Sequence, residues 1–118
     1  MSRRTERVAE LIRAELATAL RAAVTDPRLE LVTLTRVDVS PDLRNALVFW
    51  SRMENRTSPP LEEVAAGLES AASFLRRHLA RELSLRRVPA LSFRYDPSLA
   101  LGDQTLAVLR ELSRDESP

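Results

Sequence analysis

Cysteine is absent from the 118 residues, which removes disulfides, thiolate metal ligands and a cysteine nucleophile together and leaves the chain indifferent to redox compartment. Glycine occurs only twice, at Gly67 and Gly102, so neither a phosphate-cradling glycine loop nor a dinucleotide fingerprint can be assembled. Histidine occurs once, at His78, and no metal site can be drawn from a lone imidazole. Lysine is missing altogether, so all 18 basic residues are arginine. A GC-rich coding bias explains that preference without selection, yet it matters physically, because guanidinium makes bidentate phosphate contacts and stacks on bases as an ammonium cannot. No unbroken apolar run suits a signal peptide or a membrane span. The expected location is therefore cytoplasmic, with no membrane association.

What is present suits one soluble domain. Apolar residues make up 44% and charged residues 30%, within the range of globular proteins and against disorder as the dominant state. The length allows one domain with a real core. It is placed at residues 1–113, followed by a short polar tail at 114–118.

From Arg3 to Val24 the apolar positions Val8, Leu11, Ile12, Leu16, Ala19, Leu20 and Ala23 recur at three and four, the pattern of a helix with one buried face. Pro27 then disfavours helical geometry at Asp26. Residues 29–40 alternate and are β-branched, with Leu31, Thr33, Thr35, Val37 and Val39 expected on one face and Val32, Leu34, Arg36 and Asp38 on the other. A turn at "SPDL", 40–43, leads into the apolar run "LRNALVFWS", predicting an antiparallel hairpin. After a polar loop at 52–60, the residues Leu61, Val64, Leu68, Ala72, Leu75, Leu79 and Leu83 hold helical spacing until Pro89. A third strand at 90–96 puts Leu91, Phe93 and Tyr95 on one face, and a last helix is expected at 103–112. The order predicts an α+β fold with two long helices on one face of a three-stranded sheet.

No constellation demands catalysis. Glu62, Glu63 and Glu69 open the long helix, where carboxylates favour the positive end of the macrodipole, and Glu6 and Glu10 do the same in the first helix. Asp38 and Asp42 flank a turn, where aspartate serves local hydrogen bonding. His78 reads as a helix boundary residue before it reads as a general base. The expectation is a protein that is not an enzyme, with no cofactor, no metal and no small-molecule substrate.

Charge is the informative feature. Residues 71–89, "AASFLRRHLARELSLRRVP", hold five arginines against Glu82 alone, a local +4 in a chain of net +1, so that the remainder sums to −3. Arg77 and Arg81 lie four apart, opposite Leu75, Leu79 and Leu83, and Arg86 and Arg87 follow at the helix end. A solvated helix face whose cations favour the C-terminal dipole is the plain account. The shortage of offsetting acids points instead to a polyanion partner. Arg3, Arg4 and Arg7 at the N-terminus form a second basic group.

With these elements placed, "RTERVAELIRAEL", "DPRLELVTLTRVDVSPDLRNALVFWS" and "LRRHLARELSLRRVPALSFRYDPSL" resemble the opening helix, first hairpin, and second helix half with third strand of the bacterial ribosome-binding factor A family. The resemblance covers nearly the whole chain. It implies a type II KH-like domain in which the usual glycine loop is replaced by an interruption between two helix halves, reading alanine, any residue, glycine. Here those positions are Ala71, Ala72 and Ser73, and a bend is expected there with the Ser73 hydroxyl capping the helix that begins at Phe74.

The resemblance also implies RNA contact through Ser73, Arg76, Arg77 and Arg81, with Arg86, Arg87, Arg3, Arg4 and Arg7 beside them. The partners it implies are the 30S small ribosomal subunit and its 16S rRNA, bound by a monomer that assists rRNA maturation and matters at low temperature. The alternative, from the residues alone, is a small α+β interaction module that binds an acidic protein partner and never touches RNA.

Overall fold

The computed structural model describes residues 3–54 and 57–98. The elements run α1 (Arg3–Ala22), a 3-10 turn (Pro27–Leu29), β1 (Val32–Val39), β2 (Asn45–Arg52), α2 (Leu61–Glu82) and β3 (Ala90–Tyr95). The expected helix at 103–112 and the tail at 114–118 lie outside the described residues.

The three strands form one sheet in the order β1-β2-β3. β1 and β2 are the expected antiparallel hairpin, in register from Val32 opposite Arg52 to Val39 opposite Ala46. β3 runs parallel to β2, from Ala90 beside Asn45 to Tyr95 beside Trp50. Parallel pairing needs a crossover, and α2 is that crossover.

Both helices lie on one face: α1 packs on β1 and on α2, while α2 packs on β3 and on the 3-10 turn. Ile12 and Leu16 of α1, Val48 and Trp50 of β2, and Val64, Leu68, Leu75 and Leu79 of α2 form the buried core. Each fully buried aliphatic side chain contributes about 1.5–3 kcal/mol over its exposed state. The Trp50 ring meets Tyr95 across the parallel pair at 4.9 Å between centroids, tilted by 58°.

Strict alternation fails in β1. Leu34 opposes Trp50 and Arg36 opposes Phe49, so Thr35 is an extra residue, a β-bulge. The insertion rotates the strand, and Leu34 joins Val37 and Val39 in the core instead of facing away with Arg36. The Thr35 hydroxyl donates to Asp96 Oδ2 at 2.8 Å. That bond, followed by the Ser98 amide, holds the Asp96 carboxyl below the ordinary aspartate range. The bulge thus ties β1 to the end of β3 across β2.

α2 is one unbroken α-helix from Leu61 to Glu82, so the interruption expected at Ala71, Ala72 and Ser73 is not there. The physical reason is local. Alanine is the strongest helix former and serine is tolerated in a helix interior, whereas the residue that would license an unusual backbone, glycine, is missing at the third position. Ser73 is an exposed residue inside the helix, not a cap. α2 also ends before Pro89, at Leu83, whose extended backbone (φ −117°, ψ 138°) leaves the helix while its N–H still donates to the Leu79 carbonyl. Residues 83–89 form a strap leading to β3, with Leu83, Leu85 and Val88 packed against the core.

Gly67 explains itself by close approach. A Cβ there would meet Leu29 Cδ2 at 3.2 Å and the Arg28–Asp26 pair at 3.3 Å, so a bare backbone lets α2 sit on the 3-10 turn. Asp26 caps that turn through the Arg28 amide and receives the Arg28 guanidinium at 2.6 Å. Arg28 is the main reason its carboxyl sits below the usual range.

Candidate nucleic-acid interface

The outward face of α2 carries Ser73, Arg77 and Arg81 at intervals of four, all exposed. Spacing of four on a helix places side chains in one row, and the opposite side of the same turns is filled by the fully buried Leu75 and Leu79. The apolar stripe therefore fixes which way the arginines point.

Arg76 belongs elsewhere. Its Nε donates to the Pro89 carbonyl and its Nη2 to the Val88 carbonyl, both at 3.2 Å. This arginine fastens the strap to α2, and a guanidinium so engaged has less to offer a phosphate than Arg77 or Arg81.

Beyond the helix, Arg86 and Arg87 are exposed on the strap. There they line a groove of about 500 Å³ together with Arg4 of α1 and Arg44 of the β1–β2 turn. Three separate chain segments thus bring four guanidinium groups to one concavity. Asp42 is the carboxylate among its lining residues. It accepts from the Ser40 hydroxyl at 2.7 Å and the Arg44 amide at 3.1 Å, bonds that hold it below the ordinary aspartate range, the Ser40 hydroxyl first. Its approach to the Arg44 guanidinium is only 4.0 Å between two well-exposed side chains, a pair of little energetic consequence.

Thus Arg4 joins Arg86 and Arg87 at one place, while Arg3 and Arg7 are exposed on α1 outside the groove lining. Arg44 is the residue that sequence reading missed. It stands alone beside a turn, in no run of like charge, and only the fold returns the turn to the strap. The signal available was faint: an arginine directly after a turn whose other residues are explained by the turn.

Other arginines are visibly committed to protein contacts. Arg13 pairs with Glu10 at 2.5 Å, Arg28 pairs with Asp26, and Arg36 both pairs with Asp38 at 3.2 Å and covers the Phe49 ring at 4.2 Å. Arg52 is buried, donating to the Pro59 carbonyl and lying 3.7 Å from Glu54. His78 Nε2 meets Glu15 Oε1 at 2.8 Å, joining α2 to α1, which places the single imidazole in a helix contact. Among the described residues no cluster of three His, Cys, Asp or Glu could hold a metal ion, and no described helix is long and apolar enough to cross a membrane.

Helices on one face of a three-stranded sheet, in the order αββαβ with a parallel last strand, make an α+β domain consistent with the KH-like class, here with an arginine-rich surface. The sequence model of ribosome-binding factor A matches residues 4–109. The chain belongs to the ribosome-binding factor A family. It is 40% identical over 114 residues to ribosome-binding factor A of Syntrophobacter fumaroxidans, covering 97% of each chain. It is 42% identical over 118 residues to that of Coxiella burnetii, covering 99% of this chain and 97% of the relative.

Among solved structures, the crystal structure of ribosome-binding factor A from Thermus thermophilus superposes with a TM-score of 0.67 at 27% identity, over 77% of this chain and 94% of that one. A homology model of the Thermus thermophilus protein, fitted into a cryo-EM map of its complex with the 30S subunit, gives 0.65 at 27% identity, over 79% and 96%.

Proposed function

We propose that this protein is a non-enzymatic assembly factor that binds the 30S small ribosomal subunit through 16S rRNA, as a cytoplasmic monomer without cofactor, and assists maturation of that RNA. The single observation that carries the RNA contact is a set of exposed arginines that described carboxylates leave almost unneutralised. They are Arg77 and Arg81 on α2 and the four that converge on the groove, Arg86 and Arg87 on the strap with Arg4 and Arg44 across from them, and among the described residues the one ion pair they make is the 4.0 Å approach of Arg44 to Asp42. Guanidinium groups so placed are suited to bidentate phosphate contact and to counterion release. The 30S subunit enters this reading from the complex described for the Thermus thermophilus relative.

The test is cosedimentation with purified small and large subunits. Wild type is expected to travel with the small subunit alone, and the folded variant R77E/R81E/R87E to stay at the top of the gradient. Arg76 is left unchanged because it holds the strap. Wild type that binds neither subunit would end the ribosomal reading and favour the acidic protein partner. A folded variant that still cosediments would move the RNA contact off these arginines.

A further inference from the structure

We propose that the groove between the start of α1, the β1–β2 turn and the 83–89 strap seats a short stretch of single-stranded RNA, one or two nucleotides long. This rests on the RNA-binding reading above and adds which form of RNA is held, and where.

Its chemistry is divided. Arg4, Arg44, Arg86 and Arg87 supply cationic walls, while Val8, Leu43, Leu85 and Pro89 supply an apolar floor. Phosphate alone would need only the walls. An apolar floor beneath arginines suits a ligand with an anionic backbone and a flat, poorly hydrated face, which is an unstacked nucleotide. A volume of about 500 Å³ lies within the range of small-ligand sites. A duplex hides its base faces and presents them to no such floor. The α2 row of Ser73, Arg77 and Arg81 is not part of this lining.

The backbone of the turn and of the strap is fixed before any ligand arrives. The turn is closed by the Leu43 amide donating to the Ser40 carbonyl at 2.8 Å, with Leu43 itself in the left-handed region at φ 61°. The turn is stitched to the start of β3, where the strap ends, by the Ala90 amide donating to the Arg44 carbonyl at 2.8 Å, and the strap is stitched to α2 by Arg76. A concavity held from three sides loses little freedom on binding. Among the described residues no aromatic side chain lines it, so a base would rest on aliphatic groups and guanidinium planes, and sequence preference is expected to be weak.

The experiment is fluorescence anisotropy with a labelled single-stranded hexauridylate, a hexaadenylate and a 12-base-pair RNA duplex, read against salt concentration. Proteins are wild type, the groove variants R44E/R86E and R44Q/R86Q, and the α2 variant R77E/R81E, each checked by circular dichroism. Wild type is expected to bind both single strands more tightly than the duplex. R44E/R86E is expected to weaken single-strand binding about tenfold and R44Q/R86Q less, with the salt slope falling by roughly 0.7 for each phosphate no longer neutralised. R77E/R81E is expected to change it less than R44E/R86E does.

Equal binding of duplex and single strands overturns the proposal, as does a folded R44E/R86E that binds like wild type. Wild type that cosediments with the small subunit but ignores the oligonucleotides overturns the groove while leaving the ribosomal reading intact. Failure in both assays removes that reading as well.

Discussion

The two halves of α2 share one apolar stripe and present opposite charge to solvent. The first half turns Glu62, Glu63 and Glu69 outward, and the second turns Arg77 and Arg81 outward. Inward they are alike, with Val64 and Leu68 in one half and Leu75 and Leu79 in the other all fully buried. Burial sets where the helix lies and is indifferent to what the far side carries. Outward charge is therefore free to be placed for another purpose. The macrodipole favours acids at the start and bases at the end, but its influence fades within a turn, and Arg77 stands farther from the helix end than that.

Exchanging the outward charges should have the largest effect. R77E/R81E is expected to weaken small-subunit binding by roughly tenfold to a hundredfold at low salt, while E62Q/E69Q leaves it unchanged, both by quantitative cosedimentation. If the acid-half variant lost as much, the division between the halves would be false.

Removing the shared stripe should treat the halves alike. Leu68→Ala and Leu75→Ala are each expected to cost about 2–5 kcal/mol of folding stability in urea titrations, since each leaves a cavity in a fully buried site.

Arg76 sharpens the contrast within the basic half. Arg76→Ala gives up two hydrogen bonds to strap carbonyls and should cost about 1–2 kcal/mol, whereas Arg77→Ala should stay within about 0.5 kcal/mol. Thermal melts of the two proteins separate a fastening arginine from a free one.

Ser73→Gly should be destabilising by about 0.5 kcal/mol, because it puts glycine into the interior of a continuous helix. A rise in stability would mean that the junction is held against a bend it would otherwise take.

Acid should distinguish the halves last and least. Asp26, at the turn beneath Gly67, has its carboxyl held down chiefly by Arg28. The stabilisation is therefore complete above the ordinary aspartate value, about 3.9, and is lost as pH falls through the lower folded value. As pH falls below about 4, amide protection relative to the intrinsic exchange rate should drop around Gly67 before it does around Leu79, and Asp26→Asn should remove that difference.

Periodicity and turn chemistry made most of the fold legible, because each element declares its buried face within its own residues. What stayed hidden depends on partners distant in sequence. The bulge at Thr35 is invisible in an alternating string, since it exists only as two residues of β1 against Phe49 of β2. The unbroken α2 was legible from Ala71, Ala72 and Ser73 taken as helix formers, and the family resemblance argued against it. On the basic surface, local charge density singled out Arg77, Arg81, Arg86 and Arg87, all of them exposed. It credited Arg76 with a freedom that the Val88 and Pro89 carbonyls remove, and it passed over Arg44, which has no like-charged neighbour and joins the others only after β3 has paired with β2.

That parallel pairing bears on how the chain acquires its shape. α1 and the β1–β2 hairpin can meet early, by short-range closure, whereas β3 must wait until all of α2 has been laid across the sheet, the slow kind of closure. Arg44 and Arg4 are in place at the first stage, and Arg86 and Arg87 arrive only with the second. The basic groove is thus completed by the last step of folding, so a nascent or misassembled copy would lack it, and with it the RNA contact proposed above. Pulsed hydrogen exchange during refolding should find the β3 amides protected after those of β1 and β2.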